Sequence, residues 1–261
     1  MNFLKTSAPA LAAVAVLGAC AHTPATTGTT GTISMSTLHA ASPALEKYTE
    51  KTLLGDLWGR TDLIARDRSI VTLAALISRK DLGELAFHFN KALDNGVKPG
   101  ELSEMLAHLA FYSGWGNATA AAGVLAPVFQ ARGIQASALP PATVDLLPID
   151  QKSEDVRVAS VSRNVGDSAP GLVKFTSEAL FHDLWLRPGL APRDRSLVTF
   201  SSLVATGQVA QLGYHLNRAM DNGLKQAEAS EALAQLAFYA GWPNVFTAIP
   251  VVRETFAKRP A

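Results

Sequence analysis

Two histidines stand in matching surroundings, and they are the residues of this chain best suited to move a proton. His88 lies in His-Phe-Asn-Lys-Ala-Leu-Asp-Asn-Gly and His215 in His-Leu-Asn-Arg-Ala-Met-Asp-Asn-Gly. Imidazole titrates near neutral pH, which suits it to general acid–base work. Arg66 and Arg68, with Arg193 and Arg195 as counterparts, carry planar forks that can hold a carboxylate through paired hydrogen bonds. Glu104 and Glu231 can orient an imidazole or act as base, and Tyr112 and Tyr239 can donate a hydrogen bond. His108 adds a titratable group in the first set only, where the second has Gln235.

These residues recur because the chain repeats itself. A shift of 127 positions, from 88 to 215, aligns Arg66-Asp67-Arg68-Ser69, Asp94-Asn95-Gly96, Glu104, Phe111-Tyr112, Gly114-Trp115 and Asn117 with their second copies without a gap. Such regularity means two copies of one folding unit. Each residue also has a purely structural reading. Arg68 and Glu104 can be an ion pair joining two helices, and Arg66 and Asp67 the polar start of one. His88 can be a packed core histidine, and Tyr112 and Trp115 packing residues. Asp94-Asn95-Gly96 reads as a helix stop.

Both copies read as all-helical, since strand alternation is absent and apolar residues recur at helical spacing. Pro43 and Pro170 suit the first turn of a helix; in the first copy it runs to about Trp58. A second helix starts near Asp67, and Asp81 is expected to cap a third, which carries His88 and ends at Asn95-Gly96. Pro99 opens a fourth helix, and Asn117 is expected to cap a fifth that meets Pro127. On the fourth helix Leu102, Met105, Leu106 and Leu109 form one apolar stripe. Glu104, His108 and Phe111 fall on a nearly opposite face, which implies a second contact there, a cavity or an interface.

The predicted organisation is an export signal over residues 1–20, a flexible tether over 21–42, a first domain over 43–132, a surface-running linker over 133–168 and a second domain over 169–258. Lys5, the apolar run Ala10–Ala19 and the sequence Leu17-Gly18-Ala19-Cys20 resemble a bacterial lipoprotein signal, which implies lipidation at Cys20. Ordinary cleavage after Ala21 is the rival; either way the expectation is an exported, periplasmic protein, touching membrane only through its lipid. A formal net charge of +1 gives no electrostatic case for nucleic acid. A single cysteine excludes an intrachain disulfide and a CxxC redox pair.

The ordered motifs Arg-Asp-Arg-Ser-[Ile/Leu]-Val-Thr, His-x-Asn-[Lys/Arg]-Ala-x-Asp-Asn-Gly and Leu-Ala-Phe-Tyr-x-Gly-Trp resemble the carboxymuconolactone decarboxylase family. The resemblance implies two tandem alkylhydroperoxidase D-like helical domains, and self-association in which a trimer of two-domain chains mimics a hexamer. It also implies a lyase that needs no metal or organic cofactor and removes CO2 from a small carboxylated lactone or related acid. The enolate-like anion left behind must be stabilised and protonated, which would assign the His, Arg, Glu and Tyr residues above. An exported binding or assembly protein on the same scaffold is the alternative. Peroxidase chemistry of the superfamily is disfavoured because it needs a thiol pair.

Overall fold

The computed structural model describes residues 34–259. The export signal, Cys20 and the start of the predicted tether lie outside them. Among the described residues every regular element is helical. The first repeat contains α2 (Pro43–Lys47), α3 (Ala65–Ser78), α4 (Leu85–Asp94), α5 (Pro99–Ser113) and α6 (Trp115–Ala131), preceded by α1 (Met35–Ala41). The second contains α8 (Pro170–Phe175), α9 (Pro192–Ala205), α10 (Val209–Asp221), α11 (Gln226–Ala240) and α12 (Trp242–Ala257), preceded by α7 (Gln151–Val165).

The local signals act much as expected. Pro43 and Pro170 open their helices, and α2 and α8 continue through wider π-helical turns, Tyr48–Asp56 and Thr176–Phe181. The backbone N–H of Lys98 donates to the Glu101 carboxylate (2.8 Å) and that of Lys225 to Glu228 (2.9 Å), which fixes the first turns of α5 and α11. Gly96 and Gly223 follow α4 and α10 at φ of 91° and 98°, a conformation that side chains with a Cβ resist.

Four sequence expectations need correction. Asp81 does not cap α4, which begins at Leu85 after Glu84. Asn117 lies inside α6, whose N-cap is Gly114; its amide donates to the carbonyls of Ser78 and Ser113. Pro127 does not end α6. Proline removes one ladder bond, but Leu125, Val128 and Phe129 are buried around it and hold the helix to Ala131. The stretches read as tether and linker are also partly helical. Residues 35–41 form α1 and residues 151–165 form α7, the latter capped by the Asp150 carboxylate.

The two repeats share one core. From Asp67 to Ser78 every residue of α3 is buried, as is every residue of α9 from Asp194 to Ala205. A helix enclosed on all sides is the centre of its fold. Here α3 packs on α9 and α11, and α9 also packs on α5. Leu73, Ile77, Phe200 and Val204 belong to a continuous apolar cluster spanning both copies.

Across this contact the charges are exchanged. Glu231 of α11 accepts from Arg68 (2.7 Å) and from Arg60 (2.7 and 2.9 Å), both in the first repeat. Glu104 of α5 accepts from Arg195 (2.5 Å) and Arg187 (2.7 Å) in the second. The ion pair foreseen between helices thus exists, but Arg68 meets Glu231 rather than Glu104. Burial disfavours the Glu104 carboxylate, and Arg187 and Arg195 outweigh it and hold its pKa below the usual range. Glu231 is held low chiefly by Arg60, with Arg68 adding to it against burial. Removing one partner of a buried pair strands the other's charge. Glu231→Ala is therefore expected to cost about 3–5 kcal/mol in urea denaturation, whereas Asp94→Ala, which breaks an exposed pair with Arg132, should cost less than about 1 kcal/mol.

Candidate active site

His88 and His215 each stand at the centre of an aromatic cluster drawn from both repeats. Trp58, in the short 3₁₀ turn Leu57–Gly59, lies nearly parallel to His88 at 6.0 Å. Tyr239 of α11 meets His88 edge-on at 5.1 Å, and its hydroxyl accepts from the Trp58 indole (2.9 Å). The second cluster repeats this in reverse. Trp185 lies nearly parallel to His215 at 6.2 Å, Tyr112 of α5 meets it edge-on at 5.3 Å, and the Trp185 indole donates to Tyr112 (2.9 Å). Each histidine is thus partnered by the tyrosine of the other repeat. The second contact expected on the Glu104–His108 face is the other repeat.

The histidines are poorly partnered. Neither ring nitrogen of His88 has a hydrogen-bond partner; its Nε2 is 3.7 Å from the Glu84 carboxylate. Nδ1 of His215 is likewise without a partner. Burial, reinforced by Arg218, pushes the His215 pKa down to about 4. His108 is fully buried, stacks on Tyr112 at 4.8 Å and bonds Thr199 through Nε2 (2.7 Å). Burial drives its pKa well below the ordinary value, helped by Arg195, His215 and Arg218. In the first cluster Gln235 takes that place, donating to Thr72 (3.0 Å) and accepting from Arg68 (3.1 Å). Burial pushes both tyrosine hydroxyls up, so Tyr112 and Tyr239 remain protonated donors.

Both clusters border clefts of ligand size. One, about 400 Å³, is lined by His215, Tyr214, Phe181, Gln211 and Arg157. The other, about 430 Å³, includes Glu84, Tyr239, Leu53 and Leu38 of α1. A larger opening of about 810 Å³ between Leu224–Ala227 and Lys258–Arg259 reaches neither histidine. Titratable groups and aromatic rings coincide at the histidines and not at this opening.

The other sequence candidates lie elsewhere. Arg66 binds Asp194 (2.7 Å) and Glu101 (2.9 Å), and Arg193 binds Asp67 (2.7 Å) and Glu228 (3.1 Å). This second crossed cluster joins the repeats and has no contact with the histidines. Arg68, Arg195, Glu104 and Glu231 are spent on one another, so neither glutamate orients an imidazole. Sequence reading missed Trp58 and Trp185, although the 127-position shift superposes them. It passed over Lys91 and Arg218, which lie over those tryptophans at 4.4 and 4.3 Å. Arg157 of α7 lies outside the repeat and had no signal.

The model of the carboxymuconolactone decarboxylase family matches residues 43–127 and 170–254, and the chain belongs to that family. It is 33% identical over 93 residues to 4-carboxymuconolactone decarboxylase of Acinetobacter baylyi, covering 36% of this chain and 69% of that one. It is 35% identical over 72 residues to nitrosuccinic acid decarboxylase of Metarhizium robertsii, covering 28% of this chain and half of the relative's length. A solved structure described as a gamma-carboxymuconolactone decarboxylase subunit of Burkholderia xenovorans aligns over 85% of this chain and 90% of its own, at 20% identity and a TM-score of 0.49.

The low pKa of His215 makes stability depend on pH. The folded chain keeps this imidazole neutral to about pH 4, while the unfolded chain protonates it near pH 6.5. Its contribution is present above 6.5 and is lost as pH falls toward 4. Acidification from pH 7 to 5 is expected to cost about 2 kcal/mol through this group, read as a lower urea midpoint, and His215→Gln should remove that part of the dependence.

Proposed function

We propose that the chain is a cofactor-independent lyase that decarboxylates a small carboxylated lactone or related acid in its aromatic clefts. The observation that carries this reading is His215, a buried imidazole with an unpartnered Nδ1 at a cleft walled by Tyr214 and Phe181, with Trp185 stacked behind it. Membership of the family supports it, as do two relatives named as decarboxylases of carboxylated small molecules.

The chemistry asks little of the protein beyond placing charge. The bond to the departing carboxylate breaks, its electron pair passes to the lactone as an enolate, CO2 leaves, and the carbon takes a proton. An anion bound beside a buried imidazole favours its charged form, so substrate itself loads His215 with the proton to be delivered. The Tyr239 oxygen accepts from Trp58 and lines its cleft, which leaves its phenol hydrogen available to an enolate oxygen; Tyr112 accepts from Trp185 in the second cluster. Apolar walls strengthen both interactions by excluding water. Arg68, Arg195, Glu104 and Glu231 act at one remove, by fixing the helices that carry the tyrosines.

We further propose that the chain is exported with a lipid on Cys20, and that it self-associates as a trimer. Trp115, Trp242 and Phe246 are 62%, 50% and 68% exposed, apolar surface suited to such a contact.

Two measurements test these readings. Carboxymuconolactone loss with CO2 release should be seen in the wild-type chain. In His88→Ala/His215→Ala it should fall at least about 100-fold, with the helical circular dichroism retained. A wild type without turnover would favour a binding protein on this scaffold. Light scattering of the lipid-free chain should give three times the 27.6 kDa chain mass, less the cleaved signal.

A further inference from the structure

The two clefts are not equivalent, and the difference lies in the charges facing them. At the first, Glu84 places a carboxylate beside His88, and the covering segment α1 contributes the apolar Leu38. At the second, Gln211 replaces the acid, and the covering helix α7 contributes Arg157. Only 3% of Arg157 is exposed, and it is the one buried residue of α7. Its guanidinium lies over the Phe181 ring at 4.5 Å. Its Nε donates to Glu154 (2.8 Å), its Nη2 to Glu154 and Ser177, and its Nη1 has no partner.

Arg218 of α10 approaches the same ring at 5.4 Å and Trp185 at 4.3 Å. Among the described residues it forms no ion pair, and its Nε is buried without a partner. Nδ1 of His215 is unsatisfied beside them. Away from the cleft, behind Trp185, Nδ1 of the fully buried His108 lacks a partner, as do Nε and Nη1 of Arg195, whereas the equivalent Arg68 is held by Arg60, Gln235 and Glu231. Buried donors without acceptors are unfavourable unless something fills the role. Water can satisfy single N–H groups, but it does not neutralise an unpaired guanidinium.

We propose that the His215 cleft is an anion site peculiar to the second repeat, in which Arg157 binds a carboxylate of the ligand, Arg218 adds positive charge from behind the Phe181 and Trp185 rings, and α7 is the lid that brings Arg157 to it. The His88 cleft, with Glu84 at its histidine, is not an anion site of this kind. The assignment rests on the proposed reading of the histidine clefts, and it narrows the acid's site from two clefts to one. A carboxylate there answers the unmatched Nη1 of Arg157 in a low-dielectric setting. The lid docks through a single buried side chain, so opening it disturbs little of the core. Glu154 holds the closed position by linking Arg157 to His182 (2.7 Å).

The test is binding, with turnover not read. Calorimetric titration of the full chain with succinate and with 2-furoate, each against its methyl ester, should show one carboxylate bound per chain and no ester bound. Arg157→Gln and Arg218→Gln should each weaken the acids at least tenfold. Arg157→Lys should retain most of the affinity, and Lys91→Gln, over Trp58 in the other cluster, should leave it unchanged. Amide exchange across residues 151–165 should slow on adding the acids. If Arg157→Gln proves unfolded by circular dichroism, Arg218→Gln and the exchange of α7 decide the matter. Two acids per chain, an affinity indifferent to both arginines, or no saturable binding of either acid would overturn the assignment. Anion binding without lactone turnover would leave it standing while removing the lyase reading.

Discussion

A carboxylate enclosed in a protein must be met by positive charge, and here each enclosed glutamate is met from the other repeat. That requirement organises the molecule. Glu104, His108 and Tyr112 follow one another at four-residue intervals along one face of α5, and Glu231, Gln235 and Tyr239 do so along α11. Once Arg187 and Arg195 fix Glu104, the rest of that face is committed. Two turns on, Tyr112 can only enter the cluster around Trp185 and His215. The ion pairs therefore set the geometry of the histidine clusters without entering them. They also explain why α3 and α9 are enclosed on every side, since each is held between helices of both copies.

The two histidine clusters share this frame but have diverged in polarity. In the first, the Gln235 amide donates to Thr72 and accepts from Arg68. In the second, His108 occupies the equivalent position and leaves donors on Arg195 unmatched. A neutral imidazole among aromatic rings responds strongly to any charge placed beside it, because little water is present to screen the interaction. The decarboxylation proposed above suits such a setting: its substrate would bring negative charge, its product would leave as a neutral gas, and the protein would need to supply only a proton and a donor.

Much of this was legible in the sequence, but unevenly. Helical periodicity, the prolines at 43, 99 and 170 and the Asn-Gly stops are local signals, and they placed most helices. The 127-position repeat picked out His88 and His215 because it superposes residues under the same constraint. What it could not supply was partnership. Identical copies give identical motifs, so nothing in Arg68 says whether it meets Glu104 or Glu231; only the packing of α3 against α11 decides that. Pro127 read as a stop because the missing ladder bond is a local cost, whereas the burial that carries α6 past it is tertiary. Arg157 was invisible for a related reason: it stands between the repeats, in a stretch whose prolines and charges look like a linker.

Crossed pairs of this kind are what a symmetric dimer of a single repeat would form, with each surface patch facing its own copy. Joining the copies into one chain changes how such an interface can vary. In a dimer of identical subunits every substitution appears twice, so a residue that improves one pocket must be tolerated in the other. In the fused chain it appears once. His108 facing Thr199 while Gln235 faces Thr72 is an arrangement no symmetric dimer could hold. The segment that joins the repeats is thus more than a tie: by making the halves separate stretches of one chain, it lets one pocket specialise while the other preserves the architecture.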